Sequence, residues 1–145
     1  MRCRYCFGGT TVLELARSGA EIGGVVSFHG GLSTPEPSDA KKIRAKVLVL
    51  HGADDPNVPP QEVAAFEEEM RQAGVDWQLI AYGGAVHAFT DWSAGSDNSK
   101  GAAYNERADR RSWEAMNPWL LFNPTNAGAM WNNDHQPHPE FWPSF

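Results

Sequence analysis

An α/β fold, with a parallel sheet flanked by helices, is what this sequence predicts, and three observations carry the prediction. The run Val47-Leu48-Val49-Leu50 is short, continuous and apolar, as a strand covered on both faces must be. Helix-forming stretches separate the strand-like runs, so neighbouring strands are joined by crossovers and run parallel. Three of the strands also end in glycine-marked polar segments, at the edge where open α/β sheets collect functional groups.

The elements follow in order. Met1 to Tyr5 reads as a strand, and Gly8 to Ser18 as a helix closed by Gly19, which lacks the β-carbon that disfavours a left-handed cap. Ile22 to Phe28 is the next strand. The segment from Gly30 to Ala40 holds Pro35, Glu36 and Pro37 and reads as a polar, turn-rich loop bordering a pocket. Lys46 to Leu50 forms the third strand. Pro60 opens a helix through Ala73, where Glu62 suits the positive end of the macrodipole and Gly74 stops the helix. Trp77 to Tyr82 completes the strands. A Ser-, Gly- and Asp-rich loop from Thr90 to Lys100 then leads to a last helix from about Ala102 to Phe122.

The chemistry sits at the strand ends. Arg4-Tyr5-Cys6-Phe7-Gly8-Gly9-Thr10 places a cysteine between a strand and a helix with two glycines behind it. A nucleophile elbow needs that pattern: the turn is sharp, and small residues must follow where backbone crowds backbone. A cysteine beside glycines can equally be a packing residue. The second strand end is His51-Gly52-Ala53-Asp54-Asp55-Pro56-Asn57-Val58-Pro59, and the third is Tyr82-Gly83-Gly84-Ala85-Val86-His87-Ala88-Phe89. Cys, Asp and His thus appear in the chain order nucleophile, acid, histidine, which is the order of the α/β-hydrolases. Cys3 and Cys6 form a C-x-x-C, but a spacing of three within a strand is poor disulfide geometry, and a redox motif wants its cysteines at a helix start. His29 and His51 each end a strand before a glycine; either can line a pocket, and a hydrogen-bonded structural role is the plainer reading.

These residues resemble the dienelactone hydrolases, a cysteine-using branch of the α/β-hydrolases. The resemblance rests on Tyr5-Cys6-Phe7-Gly8-Gly9, on Gly52 with Asp55 and Val58-Pro59, on His87-Ala88-Phe89, and on Tyr104-Asn105 followed by Ala108-Asp109-Arg110-Arg111-Ser112-Trp113. It implies hydrolysis of a lactone or carboxylic ester through an acyl-enzyme, with Cys6 as nucleophile, His87 as base and Asp55 as the acid that orients it. Asp55 is preferred over Asp54 because the family pattern sets the acid three residues before the Val of Val-Pro. Phe7, just after the nucleophile, is implied as a backbone donor of the oxyanion hole. Two departures stand at the front. Arg4 occupies a position where the family has glycine, so its β-carbon is expected to crowd the helix. Members also carry further strands ahead of the elbow, with the loop that supplies a second oxyanion amide. The expectation is therefore a partial α/β-hydrolase fold over residues 1–122 with the front half of the sheet missing, followed by an irregular tail at 123–145. The alternative is an inactive fragment or degenerate relative acting by association, and the exposed sheet edge predicts self-association.

Composition sets the outer limits. The 145 residues, 41% hydrophobic and 21% charged, are ordinary globular material for one domain. A formal charge of -6 without a basic cluster argues against nucleic acid or an anionic membrane as partner. No apolar run is long enough for a signal peptide or a membrane span, so the default compartment is the cytoplasm, and a small-molecule ester or lactone is the expected substrate. No cofactor or metal is expected. Asp134, His135 and His138 in the tail lie among Pro137 and Pro139 and make no ligand pattern.

Overall fold

The structure, a computed structural model, describes residues 2–121 and their side chains through residue 118; the tail 123–145, with Asp134, His135 and His138, lies outside the described residues. Four strands, β1 (Arg2–Tyr5), β2 (Gly24–Phe28), β3 (Lys46–Gly52) and β4 (Trp77–Tyr82), form one sheet in the order β1-β2-β3-β4. Every neighbouring pair is parallel. Helix α1 (Phe7–Arg17) joins β1 to β2, α2 (Pro60–Ala73) joins β3 to β4, and α3 (Glu106–Leu121) follows the sheet.

The period of two along the strands decides the layers. Val25, Val47 and Val49 point to one face and pack with Val12, Leu13 and Ala16 of α1 and Phe66 and Met70 of α2. Val26, Phe28, Leu48 and Leu50 point to the other and pack with Phe89, Ala108 and Met116. Both faces of β2 and β3 are therefore dry, which explains their unbroken apolar runs. Arg17 locks the two helices of the first face together. Its guanidinium, almost wholly buried, donates to both carboxylate oxygens of Glu69 at 2.8 Å, to Glu14 at 2.7 Å and to the Leu32 carbonyl at 3.0 Å. Removing one partner of such a buried pair typically costs about 3–5 kcal/mol.

The boundaries move for identifiable reasons. α1 begins at Phe7 rather than Gly8, because the Cys6 carbonyl already accepts from the Gly9 and Thr10 amides. β2 begins at Gly24 rather than Ile22, whose N–H is turned back to the Ala20 carbonyl. β3 runs two residues further, to Gly52. α3 starts at Glu106 rather than Ala102: residues 101–103 pair with the His87 backbone, and the Asn105 side chain accepts from the Ala108 N–H at 3.1 Å as the cap. The loop after β2 contains a short 3-10 helix, Pro37–Lys42. Glu62 does more than answer the macrodipole, since one carboxylate oxygen accepts from the amides of Leu32 and Ser33 at 2.7 and 2.8 Å and pins that loop. No helix among the described residues is long and apolar enough to cross a membrane.

Candidate active site

Cys6 is the single residue between β1 and α1, with φ 49° and ψ -125°. A positive φ on a residue with a β-carbon is strained and needs surrounding structure to hold it. Three close approaches do so. A β-carbon on Gly9 would lie 2.6 Å from Ser27 Oγ and 3.2 Å from the Phe28 carbonyl, and one on Gly30 would meet the Thr10 amide at 2.7 Å. Glycine at both positions lets the helix start press against the end of β2. The Cys6 N–H donates to the Phe28 carbonyl at 3.0 Å, fixing the turn to the neighbouring strand. Arg4 does not crowd the helix as expected, because Gly8 faces it; a β-carbon there would be 3.1 Å from that of Arg4.

Asp55 and His87 are brought together by a second close approach. Gly52 ends β3 against the 85–86 turn, and a β-carbon on it would lie 2.7 Å from both the Ala85 and Val86 carbonyls. Asp55 follows in a tight turn, its N–H donating to the Gly52 carbonyl and its Oδ1 accepting from the Asn57 N–H at 2.8 Å. Its other oxygen, Oδ2, is 2.9 Å from His87 Nδ1. The carboxylate is fully buried and the imidazole partly exposed. Burial by itself would raise the Asp55 carboxyl, but the hydrogen bonds from His87 and Asn57, with the charges of His87 and His51, outweigh it and hold it below its ordinary value. His87 is pushed up to about 10, first by the hydrogen bond to Asp55, then by one with Cys6, against the opposing effect of burial. Asp54 is exposed and turns elsewhere, its Oδ2 accepting from the Gly84 N–H at 3.0 Å.

His29 joins this group, and sequence reasoning did not bring it there. It is buried and hydrogen-bonded, as a structural histidine is, yet its neighbour is the sulfur: His29 Nδ1 is 3.4 Å from Cys6 Sγ. The Cys6 N–H also donates to Nδ1 at 3.3 Å, which makes Nδ1 the acceptor and leaves Nε2–H to donate to Thr90 Oγ1 at 2.8 Å. Cys6 Sγ and one ring nitrogen each of His29 and His87 lie within 4.8 Å of one another. The available signal was register: Tyr5 pairs with Phe28, so the next residue of each strand must be neighbours. His51 is buried without a partner for its Nδ1 among the described residues, and burial draws its pKa down against the pull of Asp55 and Glu62. Phe7 exposes 84% of its surface, so only its backbone belongs to the site; its N–H, in the first helical turn, has no intrahelical acceptor. Cys3 points instead into the α3 layer, 3.7 Å from Met116 Sδ, where burial pushes its thiol up to about 12. Both cysteines are free, with no Cys3–Cys6 disulfide.

The family model described as the dienelactone hydrolase family matches residues 1–122. An uncharacterized protein of Caenorhabditis elegans, K02A2.1, is 36% identical over 118 residues, which cover 80% of this chain and 75% of that protein. A Salmonella typhimurium relative is 27% identical over 125 residues, 80% of this chain but 43% of its own length. The crystal structure of the dienelactone hydrolase-like promiscuous phosphotriesterase P91 from metagenomic libraries superposes with a TM-score of 0.78 at 47% identity. That match covers 83% of this chain and 51% of that one, so the chain spans about half the length of the solved relative.

Proposed function

Because this chain belongs to the dienelactone hydrolase family, we propose that it hydrolyses a lactone or carboxylic ester of a small molecule through a Cys6-His87-Asp55 triad and an acyl-enzyme. The observation that carries the reading is the strained Cys6 turn facing an imidazole whose other nitrogen is 2.9 Å from a fully buried carboxylate. A carboxylate in that position fixes the tautomer and ring angle of a histidine and stabilises its cation.

The Cys6 sulfur, as thiolate with its proton on His87, adds to the substrate carbonyl. The Phe7 N–H stabilises the developing oxyanion. The tetrahedral intermediate expels the alkoxide, which takes the proton from His87 and leaves a thioester on Cys6. Water then adds to the thioester as His87 takes its proton; collapse releases the carboxylic acid and restores the thiol. A cytoplasmic, reduced compartment suits such a thiol. The competing reading is a domain that retains this geometry without turnover and acts by association.

Hydrolysis of p-nitrophenyl acetate separates the two. Cys6→Ala is expected to reduce the rate to background, His87→Ala to approach it, and Asp55→Asn to lose up to about 10⁴-fold in kcat/KM. Asp54→Asn should lose no more than about tenfold, the value of one exposed hydrogen bond. An aryl phosphotriester belongs in the same assay, given the name of the 47%-identical relative. Absence of turnover on every ester, with the variants indistinguishable from the parent, would leave the associating domain as the reading.

A further inference from the structure

We propose that Cys6, His29 and His87 also form a reversible zinc site, in which Zn²⁺ bound to the sulfur switches the enzyme off. The donor set is one thiolate and two imidazoles, the ligand types zinc prefers. With Zn–S near 2.3 Å and Zn–N near 2.05 Å, a tetrahedral ion needs its S and N donors about 3.5 Å apart. Cys6 Sγ and His29 Nδ1 are 3.4 Å apart. The three donor atoms fall within 4.8 Å of one another, and of the two histidines only His87 is partly exposed.

The second layer is the stronger argument. A metal-ligating histidine donates its other ring N–H to an oxygen that sets the tautomer and the ring angle. Both histidines do so here. His87 Nδ1 is held by Asp55 Oδ2 at 2.9 Å, which leaves Nε2 for an ion, and His29 Nε2 is held by Thr90 Oγ1 at 2.8 Å, which leaves Nδ1. The Cys6 N–H that shares Nδ1 keeps the Phe28 carbonyl at 3.0 Å as its acceptor when the lone pair turns to the metal. A hydrolase triad uses one histidine. The buried His29–Thr90 pair has no task in the acyl-transfer steps, and it supplies what a third ligand requires.

On binding, one Zn–S and two Zn–N bonds form, the proton held by the Cys6–His87 pair passes to water, and one coordination position remains for a water molecule. The metal site stands on the geometry; the loss of activity rests on the reading of Cys6 as nucleophile.

Titration of the full chain with ZnCl₂ by calorimetry is expected to show one ion per chain bound through Cys6, and ZnCl₂ should slow iodoacetamide labelling of Cys6 at least about tenfold. Thr90→Val, which removes an outer oxygen only, should weaken zinc about 10–100-fold, and His29→Gln should weaken it at least as much. Co²⁺ should give a thiolate-to-cobalt charge-transfer band that Cys6→Ser abolishes. No protection of Cys6 and no cobalt–thiolate band would overturn the proposal, as would undiminished affinity in both Thr90→Val and His29→Gln. Ester hydrolysis that proceeds unaffected by excess ZnCl₂ removes the switch and leaves the hydrolase reading intact. Zinc bound at Cys6 in a protein that cleaves no ester keeps the metal site and removes that reading.

Discussion

Two charged neighbours define the site at the scale of single residues. His87 is pushed up to about 10 and Asp55 is held down, so over the neutral range they form an ion pair. A histidine whose folded pKa lies above its unfolded value of 6.5 contributes stability that is complete below 6.5 and lost as pH rises through about 10. Asp55 contributes in the opposite sense, present above its unfolded value and lost as pH falls through its lower folded one. Thermal unfolding between pH 5 and about 11 should therefore show stability declining on the alkaline side. In Asp55→Asn that decline should shift toward neutrality, because the hydrogen bond to Asp55 is the leading cause of the His87 shift. Under the proposed mechanism, in which the same imidazolium protonates the leaving group, the alkaline limb of ester hydrolysis should move with it. An alkaline limb in Asp55→Asn identical to that of the parent would contradict the assignment. Thiol labelling gives a second reading at this scale: burial holds the Cys3 thiol at about 12, so iodoacetamide should modify Cys6 well ahead of Cys3 in the folded protein. Equal rates would place both sulfurs in the same environment.

Glycines set how closely the elements approach one another. Gly52 carries the end of β3 past the carbonyls of Ala85 and Val86 with no space for a β-carbon. Backbone cannot swing aside as a flexible side chain does, so Gly52→Ala must displace the turn that delivers His87 to Asp55. We expect destabilisation of about 1–3 kcal/mol, as for other overpacked sites. The loss of esterase activity should exceed what that stability change explains, and melting temperature with kcat measured on the folded fraction tests both. Retained activity with a lowered melting temperature would mean that the turn adapts without moving His87. Gly74, by contrast, caps α2 at φ 68° with open space around it, so its requirement is conformational alone. Both glycines look alike in a sequence; only the neighbours of Gly52 tell them apart.

At the scale of the molecule, the sheet has β1 on one edge and β4 on the other among the described residues. β1 pairs with β2 among the described residues, and an edge strand can act as a template for another chain. We propose that the 145-residue chain self-associates through β1, which light scattering would detect. A monomer with cooperative unfolding would show that the edge is covered in some other way. Much of this architecture was legible in the residues. Periodicity, the glycine and proline stops, and the motif order determined the strands, the helices α1 and α2 and the parallel α/β class, because these depend on local preference and on which face of an element is apolar. The preference for Asp55 over Asp54 came from the family resemblance; in the structure Asp55 Oδ2 lies 2.9 Å from His87 Nδ1. The start of α3 was decided by the contact of residues 101–103 with His87, which no local pattern encodes. His29 beside the sulfur and Thr90 behind it were decided by strand register and by a loop 61 residues away in the chain. Such neighbours are made by the packing of distant segments, and distance along a chain carries no trace of distance in space.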